Sequence, residues 1–222
     1  MGLMDQVKAV IFDMDGVLID SEKFWKQAES EVFSSLGVKV LDEFTALTKS
    51  MTTKEVTRFW YKRFPWSGLT LQAVEEQVVR RVMELIKTEN CEMKGIKTFI
   101  ESLHGSGFKI GLATNSPSII IPVVLNKLGI AHYFNAVTSA DDVPKGKPDP
   151  EIYLLTANKL QIDPSECIVI EDSCSGIIAA KSASMKVVAF TNNKKNSLKQ
   201  ATDYVIHDFA HKDLYGLFLN GH

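Results

Sequence analysis

Six short runs of β-branched, aromatic and aliphatic residues punctuate the chain. They are KAVIF (8–12), FKIGLAT (108–114), NAVTS (135–139), CIVIED (167–172), KVVAF (186–190) and, more weakly, DYVIH (203–207). Runs this short, with little alternation of polar residues, read as strands buried on both faces. Between them, helical patterns occupy 95–105, 116–128, 149–160 and 175–183. Strand alternating with helix predicts an α/β class: a Rossmann-like parallel sheet with helices on both faces. Pro122 falls inside the second of these helices, so a kink is expected there.

The alternation breaks once. From about 20 to 90 there is no strand signal, and three helical patterns follow one another. SEKFWKQAESEVFSSLG (21–37) has a Ser/Glu start and a Gly stop. TTKEVTRFWYKRF (52–64) comes next, then TLQAVEEQVVRRVMELIK (70–87), with PWSG as the turn between them. Leu71, Val74, Val78, Val82 and Leu85 mark one apolar stripe. The expected organisation is an α/β core from 1–19 and 91–222, with a small α-helical domain, 20–90, inserted after the first strand.

Composition narrows the class. With 222 residues and 45% hydrophobic content, the chain can bury a substantial core. A formal net charge of -2 supplies no general attraction to nucleic acid or an anionic membrane, and neither is expected as a partner. Cys91, Cys167 and Cys174 form no C-x-x-C pair, which points to reduced thiols and a cytoplasmic protein. The N-terminus lacks the pattern of a signal peptide, and Gln6 stands where a myristoylation signal wants Ser or Thr. No apolar run approaches a membrane span. A soluble monomer is the default expectation.

In open α/β sheets, ligands bind beyond the carboxyl ends of the strands. Behind the first strand stand Asp13 and Asp15, then Gly16. Residues i and i+2 of an extended chain point the same way, and two such carboxylates repel unless a cation or proton separates them. An acidic turn would account for the pair. So would a nucleophile beside a general acid/base. Behind the second strand come Thr114, Asn115, Ser116 and Pro117, a helix-start signature that also suits an anion. Behind the third, Lys145 and Lys147 flank a glycine, and one of them pointing inward would offset phosphate and carboxylate charge. Behind the fourth come Glu171, Asp172 and Ser173. Buried acids ending a strand are costly unless they bind something, and oxygen-only donors suit Mg²⁺. Together these four strand ends hold what phosphoryl transfer needs.

DMDG, ATNS, KGKPDP and EDS, in that order, resemble the four motifs of the haloacid dehalogenase superfamily over nearly the whole chain. The helical insertion resembles the small cap of its β-phosphoglucomutase-like branch. FWYKRFPWSG and LIDSEKFW look most like bacterial 2-deoxyglucose-6-phosphate and hexitol-phosphate phosphatases. The resemblance implies Asp13 as nucleophile and Mg²⁺ ligand, and Asp15 as acid/base with its backbone carbonyl on the metal. It implies that Thr114, the Asn115 backbone and Lys147 hold the phosphoryl group, with Lys147 and not Lys145 as the motif lysine. Asp172 would bind Mg²⁺, with Glu171 as a direct or water-mediated partner. Dehalogenases of the superfamily lack the second aspartate, so Asp15 favours phosphate chemistry. Mutases of this branch carry a histidine about ten residues after the acid/base, where this chain has Trp25, and an arginine in the cap loop near Thr53. Both departures favour a phosphatase of a small phosphorylated metabolite, a sugar or sugar-alcohol phosphate, over a phosphosugar mutase, and the intact set of Asp13, Asp15, Lys147 and Asp172 argues against a non-catalytic sugar-phosphate binder. Lys94 replaces a usual proline and is expected to alter the hinge slightly.

Phe24, Trp25, Phe59, Trp60, Tyr61, Phe64 and Trp66 make the insertion aromatic, and most are expected to form its own core. Lys49, Ser50 and Thr53 are the expected substrate-facing positions. Arg80 and Arg81 read as a solvated helix face. His207 and His211 lack a third ligand and are not expected to hold a metal.

Overall fold

The computed structural model describes residues 7–41, 44, 47–48, 51–192 and 202–209. Six strands form one parallel sheet: β1 (Ala9–Phe12), β2 (Lys109–Thr114), β3 (Ala136–Ser139), β4 (Cys167–Glu171), β5 (Lys186–Phe190) and β6 (Tyr204–Ile206). Their spatial order is β3-β2-β1-β4-β5-β6, so β1 lies between β2 and β4. Ala9 to Phe12 pair with 109–112 on one side and 167–170 on the other. The chain leaves β1 toward β2 and β3, then crosses back to start β4 on the opposite side. That reversal opens a crevice at the carboxyl ends of β1 and its neighbours.

Alternate residues of each strand serve two cores. Val10, Phe12, Leu112, Ile170 and Val188 face α4 (Ile96–Gly105) and α5 (Ile120–Leu128). Ala9, Ile11, Ala113, Val169 and Val187 face α6 (Glu151–Leu160) and α7 (Cys174–Ser182). Both faces are covered, which is why the strands read as unbroken apolar runs.

The inserted segment folds as three main helices: α1 (Glu22–Ser35), α2 (Thr53–Arg63) and α3 (Leu71–Thr88). Their starts are chemically defined. Thr52 and Glu55 form a reciprocal capping box on α2, and the Thr70 hydroxyl accepts from the Ala73 N–H on α3. Trp60 is fully buried among Phe33, Phe44, Phe59 and Phe64, with ring centroids 5.4–6.1 Å away. Arg81 departs from its expected solvated role. It donates to Glu31 at 2.7 Å and so ties α3 to α1. The two chain crossings are paired by backbone bonds, Asp20 N–H to Cys91 O and Met93 N–H to Leu18 O. Lys94 lies just beyond this pairing, and nothing in the structure assigns it a role.

One helix starts late. α5 begins at Ile120 and not at Ser116, so Pro122 sits in its first turn and produces no mid-helix break. There its missing N–H has no intrahelical acceptor to lose.

Replacing Trp60 with alanine empties the centre of the inserted segment. Trp60→Ala is expected to lower stability by about 3–5 kcal/mol in urea denaturation.

Candidate active site

The site grows from Lys147. Its side chain is 3% exposed and its ammonium meets three oxygens: Asp13 Oδ1 at 2.6 Å, Glu171 Oε1 at 2.6 Å and the Ala113 carbonyl at 2.8 Å. These come from the ends of β1, β4 and β2. Buried ions are tolerated only when paired and fully hydrogen-bonded, and this ammonium uses all three donors. Burial opposes its charge, but Asp13 and Glu171 outweigh that and raise its pKa. Lys145, two residues earlier, is exposed. The structure thus separates the two lysines of the loop.

Glu171 is completely buried and surrounded by donors. Tyr153 O–H joins Lys147 on Oε1 at 2.8 Å, while Ser173 donates its N–H and O–H to Oε2 at 3.1 and 2.9 Å. Gly176 lets α7 approach this carboxylate, since a Cβ there would lie 1.7 Å from Oε1. Asp13 is less fully compensated. Burial raises its pKa well above the usual carboxylate value; Lys147 pulls it down, and Glu171, Asp172 and Asp15 push it up.

One carboxylate oxygen each from Asp13, Glu171 and Asp172 lies within 4.8 Å of the others. Three carboxylates against one ammonium leave a negative site lined only by oxygen, the donor set of a hard divalent cation. Gly16 turns the chain with φ +83°, and a Cβ there would lie 2.2 Å from Asp172 Oδ2. Only glycine lets the loop after β1 pass this close to that carboxylate.

Asp15 points to a different set of partners. Ser21 Oγ (2.5 Å) and Trp25 Nε1 (2.9 Å) donate to Oδ1, and Ser116 Oγ (2.6 Å) and Thr114 Oγ1 (3.4 Å) donate to Oδ2. Two donors come from the entry to the inserted helices and two from the end of β2. Asn115 uses its side-chain amide to clamp the Lys147 backbone, accepting from its N–H at 2.8 Å and donating to its carbonyl at 3.2 Å.

The model of the haloacid dehalogenase-like hydrolase family matches residues 7–184. The chain belongs to that family. Hexitol phosphatase B of Escherichia coli K12 is 38% identical over 188 residues, spanning 82% of this chain and 83% of that protein. Beta-phosphoglucomutase of Bacillus subtilis is 30% identical over 188 residues, covering 82% of each. The crystal structure of beta-phosphoglucomutase from Clostridium difficile superposes with a TM-score of 0.82 at 26% identity, over 96% of this chain and 98% of that one.

All the motif residues expected in this hydrolase, Asp13, Asp15, Thr114, Asn115, Lys147, Glu171 and Asp172, come from the same edge of the sheet. Thr114 is engaged with Asp15 and with the Ser116 N–H. Of the expected cap positions, Lys49 and Ser50 lie outside the described residues, and Thr53 is buried at the start of α2. His207 is paired with Thr191 at 2.7 Å, and His211 lies outside the described residues. Sequence reasoning gave no site role to Tyr153 or Ser21, read Ser116 only as part of a helix-start signature, and singled out Trp25 only as the departure from the mutase histidine.

Removing the Lys147 charge leaves Asp13 and Glu171 facing each other without a counter-ion. Lys147→Met is expected to lower stability by about 3–5 kcal/mol. Tyr153→Phe, which removes one donor from Glu171, is expected to cost roughly 1–3 kcal/mol. Urea denaturation of the metal-free protein reads both.

Proposed function

We propose that this hydrolase is a phosphatase acting on a small phosphorylated metabolite, a sugar or sugar-alcohol phosphate, through an aspartyl-phosphate on Asp13. The observation that carries the reading is the separation of roles between the two aspartates. Asp13 lies against Lys147 and the acidic cluster, while Asp15 is held apart by four hydroxyl or indole donors. That separation supports reading one carboxylate as the group that attacks an anionic centre and the other as the group that transfers a proton.

In this reading an Asp13 oxygen attacks phosphorus, and the ester P–O bond breaks as Asp15 protonates the leaving oxygen. Asp15 then takes a proton from water, the water oxygen attacks phosphorus, and inorganic phosphate leaves with Asp13 regenerated. Thr114 and the Asn115 backbone hold the transferring group, and the Lys147 ammonium beside Asp13 offsets its charge. Asp13 and Asp172, the Asp15 carbonyl, and Glu171 directly or through water would hold Mg²⁺. When bound, that ion supplies charge neutralisation between the carboxylates and the phosphoryl oxygens. Residues 20–90 serve as the cap, and 1–19 with 91–222 as the core.

Trp25 favours hydrolysis over a mutase. An indole N–H only donates, so at this position it anchors Asp15 but exchanges no proton with it. The named relatives include both hexitol phosphatase B and beta-phosphoglucomutase, and this residue supports the former chemistry.

A phosphate-release screen over phosphorylated metabolites, with Mg²⁺ and with chelator, tests the reading. Release is expected from sugar or sugar-alcohol phosphates with Mg²⁺ and none after chelation. Interconversion of glucose 1- and 6-phosphates would point to the mutase instead. Asp13→Asn is expected to abolish release while keeping the native circular dichroism spectrum. Asp15→Asn is expected to lower kcat by about 10²–10⁴-fold. Retained release by Asp13→Asn would rule out the covalent route.

A further inference from the structure

Helix α1 carries three carboxylates that the chemistry above leaves unused, Glu22, Glu29 and Glu31, and of these Glu29 alone is partly buried. Trp25, whose indole reaches Asp15, and Phe33, which packs on Trp60 and Trp66, are eight residues apart on that helix. Glu29 stands midway between them. Residues four apart share a helix face, and each such step advances the axis by about 6 Å. The stripe therefore runs from the acid/base, past Glu29, into the aromatic core.

Glu29 is partly buried, and among the described residues no hydrogen bond or ion pair reaches it. Burial alone holds its carboxyl at about 7, with no charged neighbour contributing. Glu31, only two residues on, shows the contrast. It sits at the surface, accepts from Arg81 and Gln27, and its pKa is lowered by those bonds. An unpartnered, desolvated carboxyl is a cost that an aliphatic residue at the same place would avoid. Its retention makes sense if the partner arrives with the ligand.

The position identifies the ligand chemistry. In the proposed reaction a phosphomonoester at Asp13 would direct its leaving oxygen at Asp15, and Glu29 stands one helical turn from the indole that bonds Asp15. A carboxyl there repels further anionic groups and accepts hydrogen bonds from hydroxyls. We propose that Glu29 is a specificity-determining residue that binds hydroxyl groups on the carbon chain of the substrate, one helical turn beyond the residue that anchors Asp15. This rests on the sugar-phosphatase reading above.

The test is a ratio: kcat/KM for sorbitol 6-phosphate divided by kcat/KM for phenyl phosphate, which lacks chain hydroxyls. In Glu29→Leu the ratio is expected to fall at least fivefold, and a smaller change overturns the proposal. The near-isosteric Glu29→Gln still pairs with hydroxyls and should keep the ratio within twofold of wild type. A fall in that variant as deep as in the leucine one also overturns it. Glu29→Leu is expected to melt no lower than wild type. A lower melting temperature would reveal a partner within the protein and sink the proposal. A wild-type enzyme that prefers phenyl phosphate to every sugar and polyol phosphate fails the substrate-class reading itself, a result that needs no variant and removes the basis for Glu29 as well.

Discussion

The buried ammonium of Lys147 is the constraint around which the catalytic edge is built. An ion taken out of water costs several kcal/mol unless its donors are all engaged. Here β1 supplies Asp13, β4 supplies Glu171 and β2 supplies a carbonyl, all within 2.8 Å. Three strand ends are thereby fixed to one point. Asn115 then fixes the backbone of the lysine itself, from the end of β2. Glu171 accepts from Lys147, Tyr153 and Ser173, so it acts as the hub that orients the lysine, and Asp13 keeps the larger share of uncompensated charge. That imbalance is what a divalent cation beside Asp13 and Asp172 would relieve.

The sheet makes this arrangement possible because β1 has both β2 and β4 as neighbours. Had the strands run in sequence order, the ends carrying Asp13 and Glu171 would be two strands further apart, well over the reach of one lysine at about 4.8 Å per strand. Gly16 and Gly176 complete the convergence. Each allows backbone to pass against a carboxylate where any Cβ would collide with it.

Much of this was legible in the residues. Strands buried on both faces declare themselves as short unbroken apolar runs, and the motif residues end or closely follow one, except Lys147, which stands further along the loop after β3. The late start of α5 was hidden because Ser116 and Pro117 carry a good helix-start signature; the Ser116 donors instead serve the loop, its N–H on Thr114 and its Oγ on Asp15. Tyr153 gave no sign because it looks like any apolar-face residue of α6; its role depends on α6, packed on β2 and β3, bringing the hydroxyl to Glu171 at the end of β4. Ser21 is likewise an ordinary residue until the chain turns back on Asp15. Such contacts join residues far apart in sequence, and no local pattern encodes them. The choice between Lys145 and Lys147 needed either the motif or the fold, since both flank the same glycine.

Asp15 couples the inserted helices to the core through opposite oxygens. Oδ1 is bonded from Ser21 and Trp25, and Oδ2 from Ser116 and Thr114. Polar links across that seam are exposed: Lys54 with Asp141 at 3.7 Å, and Lys127 with the carbonyls of Lys87 and Glu89. Beneath them α3 packs on α5, and buried apolar residues of both belong to one continuous core. Exposed ion pairs contribute at most about 1 kcal/mol. The backbone pairing of Leu18 and Asp20 with Met93 and Cys91 joins the two crossings to each other. Displacing α1 from the core would remove an indole from Asp15. The aromatic packing around Trp60 ties α1 to α2, and Asp15 has its full set of four donors only with α1 in this place.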